Sequence, residues 1–128
     1  MTEIVLDASA ILAMLLAEPG ADKVAGAIQG ASISAVNFSE VGAKAVDHGA
    51  DIDLAFSKLR EMPLRVVPFD RDQAETASRL RQATRSLGLS LGDRACLALA
   101  QCLGAKVLTA DKAWVSLDLG IEIVLIHQ

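Results

Sequence analysis

The chain has 128 residues, of which 52% are hydrophobic and only 3% aromatic, and it carries a formal net charge of −4. Such a length and apolar content exclude a disordered chain and are enough for one domain, residues 1–128, with an aliphatic core that needs no metal or disulfide staple. The acidic balance excludes a protein that holds nucleic acid through a general basic surface, although Arg71, Arg79, Arg81, Arg85 and Arg94 gather in one stretch.

Taken in chain order, short β-rich runs alternate with helical ones. Glu3–Leu6 reads as a strand and Ala8–Ala17 as a helix broken at Pro19-Gly20. Ala21–Ile28 is a second helix, Ser32–Ser34 a brief strand, and Ala35–His48 a helix stopped by Gly49. Ile52–Glu61 is helical up to Pro63, and Leu64–Val67 is a strand whose end Pro68 weakens. Asp70-Arg-Asp-Gln73 has the form of a capping box that opens a helix from Arg71 to about Ser86. Gly92–Leu103 is a further helix stopped by Gly104, followed by the strand Lys106–Leu108, a short helix Asp111–Leu117 and the strand Glu122–Leu125. This alternation predicts an α/β fold: a three-layer arrangement with a five-stranded, mainly parallel sheet flanked by helices.

The longest apolar stretch, Ala8–Ala17, is too short to span a bilayer and lacks a basic segment before it, so we expect no membrane association and a cytoplasmic location. Cys96 and Cys102 fall on different faces of one helix and cannot bridge each other, which predicts two inert, buried thiols.

Acidic residues recur where the predicted strands end. Asp7 follows the first strand, Asp111 follows a later one, Asp93 opens the helix feeding that strand, and Glu40 lies in the first turns of the helix after the second strand. In a parallel sheet all carboxyl-terminal strand ends share one edge, where ligands bind. Carboxylates gathered there without a basic partner repel one another, a penalty that a hard divalent cation removes. Mg²⁺ or Mn²⁺ suits such oxygen ligands and serves phosphodiester hydrolysis. Each acid also has an ordinary structural reading. Asp7 and Asp111 can cap the helices they precede, Asp93 can complete a capping box with Ser90, and Glu40 can pair with Lys44 one turn on.

At these positions the sequence resembles the PIN-domain family, and within it the VapC-type toxins of bacterial toxin–antitoxin pairs. The matching pieces are Val5-Leu-Asp7-Ala-Ser9-Ala10, Ser34-Ala-Val-Asn37-Phe-Ser-Glu40-Val41, Leu89-Ser-Leu-Gly-Asp93-Arg-Ala-Cys-Leu-Ala-Leu99-Ala100 and Val107-Leu-Thr109-Ala-Asp111-Lys-Ala-Trp114. Together they run through essentially the whole chain. The resemblance implies a PIN-like sheet and an endoribonuclease that depends on Mg²⁺ or Mn²⁺. It also implies a cognate antitoxin protein that covers the active site, and a homodimer. Asp7, Glu40, Asp93 and Asp111 would be the metal-holding acids, with Asp111 the most variable of the four in the family. Ser9 and Thr109 match hydroxyl positions that bond to the acidic cluster.

Other residues have two readings. Asn37, one helical turn before Glu40, can orient its carboxylate or lie exposed. Arg94 can contact a substrate phosphate or be a surface arginine, and Arg79, Arg81 and Arg85 can follow an RNA backbone or form a solvated helix face. Trp114 is expected in the core. Two other functions compete: a catalytically silent PIN-like scaffold that binds a partner protein, and a receiver-type phosphoacceptor domain. The receiver reading needs paired acids after the first strand, where Asp7 stands alone.

Overall fold

The computed structural model describes residues 3–127. The strands are β1 (Ile4–Leu6), β2 (Ser32–Ser34), β3 (Arg65–Val67), β4 (Lys106–Thr109) and β5 (Ile123–Leu125). The helices are α1 (Ala8–Leu15), α2 (Ala21–Ala27), α3 (Ala35–Asp47), α4 (Ile52–Glu61), α5 (Arg71–Thr84) and α6 (Leu91–Leu103). Five of the six helices start on a side chain that accepts a backbone N–H: Asp7, Ser34, Asp51, Asp70 and Ser90. These caps satisfy donors that a helix leaves unpaired at its start.

Every strand pair is parallel, and the order across the sheet is β3-β2-β1-β4-β5. The sheet is thus wholly parallel, as expected of strands joined by helices. Alternation along β1 sends Leu6 into one apolar cluster and Val5 into the other. Ile11, Val24, Val41 and Leu59, from α1 to α4, fill the first, whereas Ala77, Leu80 and Leu97, from α5 and α6, fill the second. The result is the three-layer α/β architecture. From β1 the chain steps outward to β2 and β3, then crosses to β4 and continues outward to β5. The switch point therefore lies between β1 and β4, where a crevice opens at their carboxyl ends. A receiver-type domain has a different strand order, 2-1-3-4-5, and that alternative does not fit.

Several local details depart from expectation for identifiable reasons. Asp70 caps α5 through Gln73 N–H, but the Gln73 side chain donates to the Pro68 carbonyl, so the box is not reciprocal. Helix α5 stops at Thr84, whose hydroxyl donates back to the Leu80 carbonyl, and a 3₁₀ turn over Arg85–Leu87 closes on Gly88. The segment after Asp111 is a 3₁₀ turn, Lys112–Ser116, with i→i+3 bonds from Trp114 N–H to Asp111 and from Leu117 N–H to Trp114. Trp114 is fully buried. Cys96 is buried but Cys102 is exposed, because the helix rotation that separates the two thiols turns the second outward. Glu75 pairs with Arg71 and Arg79 on the exposed face of α5, where Arg81 is exposed as well. Among the described residues no helix is long and apolar enough to cross a membrane.

Candidate active site

Asp7 is placed by β1 and by α1 at once. Its backbone N–H donates to the Leu108 carbonyl of β4, and its side chain caps α1. Oδ1 accepts from Ala10 N–H (2.9 Å) and from the Ser9 hydroxyl (2.7 Å), while Oδ2 accepts from the Thr109 hydroxyl (2.6 Å). Both hydroxyls also act as acceptors: Ser9 Oγ takes Ala110 N–H and Thr109 Oγ1 takes Asp111 N–H. The loop after β4 is thereby tied to the carboxylate after β1. Asp7 is only 5% exposed. Burial lifts its carboxyl above the ordinary value, the three hydrogen bonds pull it back in part, and the charge of Asp93 adds to the rise.

Glu40 lies on α3. Asn37, fully inside on the same helix, donates through Nδ2 to Glu40 Oε1 (3.1 Å) and to the Gly92 carbonyl (3.0 Å), so it joins α3 to the start of α6. Its Oδ1 is buried without a partner. The Glu40 carboxylate in turn rests on Gly92, where an added β-carbon would lie 2.7 Å from Cδ and 2.9 Å from Oε2.

Asp93 completes the capping box of α6: Ser90 Oγ accepts from Asp93 N–H, and Asp93 Oδ2 accepts from Ser90 N–H. Asp111 caps the 3₁₀ turn through Oδ1 and Ala113 N–H. Capping uses one oxygen of each. The structural and the functional readings of these acids are therefore compatible.

Asp7, Glu40, Asp93 and Asp111 line a single cavity of about 130 Å³ at the switch point. Ser9 and Asn37 also reach it, and so does Lys44, which sequence reasoning had cast only as an ion-pair partner for Glu40. No such pair forms, and among the described residues none of the four acids is in a salt bridge. Beneath them lies Cys96. Burial pushes its thiol well up, and the charges of Asp7, Asp93 and Glu40 add to the effect, so it stays protonated and inert.

Thr109 stands behind Asp7, at the end of β4, and acts through it. Arg94 is not brought to the cavity. Its Nη1 donates to the Ala77 carbonyl of α5, so its neighbour Asp93 faces the acids while Arg94 braces α5 against α6. Two contributors were missed from sequence, Gly92 and Lys44. A glycine in the first turn of a helix that has no need of one was the available signal for the former.

Among the described residues no three His, Cys, Asp or Glu side chains stand close enough to grip one metal ion as placed. The donor set still fits a hard divalent cation. Its four carboxylates form no salt bridge among the described residues, an orphaned amide oxygen lies beside them, and Mg²⁺ characteristically takes one or two carboxylates and keeps its waters.

The PIN domain matches the chain over residues 4–119. No curated protein matches it in sequence. Solved structures resemble it along its whole length. A toxin–antitoxin complex from Klebsiella pneumoniae superposes with a TM-score of 0.77 at 20% identity, covering 98% of each chain. DNA-bound VapBC from Salmonella typhimurium gives 0.73 at 18% identity over 98% of this chain and 99% of that one. VapBC-5 from Mycobacterium tuberculosis gives 0.63 at 21% identity over 100% of both.

Proposed function

The chain belongs to the PIN-domain family, and from that premise we propose that it is a metal-dependent endoribonuclease, one nuclease domain over residues 1–128, acting as the toxin of a type II toxin–antitoxin pair. The observation that carries this reading is the set of four carboxylates, none of them in a salt bridge among the described residues, around one cavity at the switch point of the sheet. Asp7, Glu40, Asp93 and Asp111 would hold Mg²⁺ or Mn²⁺, one or two carboxylates to an ion, and the cation would supply Lewis-acid polarisation for hydrolysis of an RNA phosphodiester.

The chain's own residues supply positioning. Thr109 and Ser9 hold Asp7 with its oxygens turned to fixed partners. Asn37 holds Glu40 against α6, and the capping box holds Asp93 at the mouth of the same helix. Preorganised charges of this kind spare reorganisation during reaction. RNA binding that relies on exposed rings is disfavoured in a chain with one Trp, three Phe and no Tyr.

The likeness to toxin–antitoxin complexes supports a cognate antitoxin protein as partner. We place the homodimer and the cytoplasmic location within the same reading. Expression of the chain in a bacterial host tests it: growth arrest with newly cut cellular RNA is expected, and neither should occur with Asp7→Asn. Arrest of equal strength by both proteins, without cut RNA, would overturn the reading.

A further inference from the structure

A groove of about 410 Å³ adjoins the acid cavity and shares Ser9 and Lys44 with it. Leu12, Leu16 and Pro19 provide an apolar floor, and Lys44, His48 and His127 stand around it. Both histidines of the chain thus line one groove, and among the described residues Glu18 is the single acid on its lining. Lys44 is exposed, sits one turn beyond Glu40 on α3 and forms no ion pair among the described residues. His48 Nδ1 lies 2.8 Å from the Lys44 carbonyl, which can only accept, so the contact places a proton on Nδ1.

We propose that this groove seats the nucleoside beside the scissile phosphate of a single-stranded RNA, with Lys44 holding the phosphate at the seam between groove and acid cavity. Three observations support it. The groove adjoins the proposed site of hydrolysis and shares Ser9 and Lys44 with it. Lys44, which lines both, offers a cation to a phosphodiester that the four carboxylates by themselves repel. Its volume is that of a small-ligand site with an apolar floor and few polar groups. An unpaired base can enter it, and the His48 ring can hydrogen-bond a base edge or the 2′-hydroxyl that distinguishes RNA from DNA. The proposal rests on the nuclease reading.

The test uses the full chain, as wild type and as the exposed-site variants Lys44→Gln, His48→Ala and Pro19→Glu, with Lys58→Gln on α4 as a control. Binding of a fluorescein-labelled single-stranded RNA is followed by anisotropy in EDTA, and cut positions are mapped in Mn²⁺. Lys44→Gln and Pro19→Glu should each weaken binding about ten-fold, and Lys44→Gln should lower the salt slope by about 0.7. His48→Ala should shift the nucleotide preferred beside the cut, and Lys58→Gln should change nothing. If all variants bind and cut as wild type does, the groove is not the nucleotide seat, although the nuclease reading stands. Wild type that neither binds nor cuts RNA would overturn both. Loss of antitoxin binding in the variants with RNA affinity intact would make the groove a protein dock and overturn the proposal.

Discussion

The Glu40 carboxylate packs directly on the α-carbon of Gly92, so closely that a β-carbon at Gly92 would overlap Glu40 Oε1. The obstructed atoms are the far end of a flexible side chain, so Gly92→Ala should displace the carboxylate and leave the fold alone. We expect a melting temperature close to that of wild type, Mn²⁺ affinity reduced about ten-fold by calorimetry, and RNA cleavage reduced at least as much. Partial recovery in the double variant Gly92→Ala with Glu40→Asp, whose shorter side chain clears the new methyl, would identify the displacement as the cause.

Thr109 is a buried relay. Its hydroxyl donates to Asp7 Oδ2 and accepts from Asp111 N–H, so Thr109→Val removes both bonds at nearly constant volume. Metal affinity and cleavage should fall by about 10- to 100-fold, the usual cost of losing a group that orients a ligand. The unfolding free energy should drop by about 1–3 kcal/mol, because the buried Asp7 oxygen loses its partner. Denaturant titration checks the second quantity independently of activity.

Asp93 separates cap from site. Asp93→Asn keeps an oxygen able to accept from Ser90 N–H and should melt near wild type, whereas Asp93→Ala loses the box and about 1 kcal/mol of stability. Both should lose metal-dependent cleavage. If Asp93→Asn retained it, the residue would be a cap only.

The buried Asp7 carboxyl binds its proton more tightly in the folded chain than in the unfolded one. Its contribution to stability is therefore fully present below the unfolded carboxylate pKa of about 3.9 and is lost as pH rises through the raised folded value. In EDTA, Asp7→Asn should become progressively more stable relative to wild type as pH rises from about 4, the ordinary carboxylate value, towards neutrality. Added Mn²⁺ should raise the wild-type melting temperature at the upper pH and leave that of the variant unchanged. Parallel melting curves across this range would contradict the assignment of burial as the cause.

Much of the fold and the convergence of the four acids on one cavity were legible because each signal is local. Asp7 follows Leu6 at the end of β1, and Asp111 lies two residues beyond Thr109 at the end of β4. Parallel pairing of Leu6 with Leu108 then brings the two strand ends to one edge. What a linear reading set apart as alternatives, helix cap or metal-site acid, the structure leaves compatible, because Asp93 and Asp111 each cap with a single oxygen. Contacts between distant segments were not legible. Nothing near Gly92 in the sequence announces that Glu40 lies on it. The turn of Arg94 toward Ala77 depends on how α5 packs on α6, which also leaves Cys102 in solvent.

The most direct measurement is cleavage of total cellular RNA by the purified chain in Mg²⁺ or Mn²⁺ and in EDTA, beside Asp7→Asn. Discrete fragments from the wild type with either metal, none in EDTA and none from the variant, are the predicted result. Fragments that persist in EDTA, or that Asp7→Asn produces as readily as wild type, would contradict a hydrolytic site built on these four carboxylates.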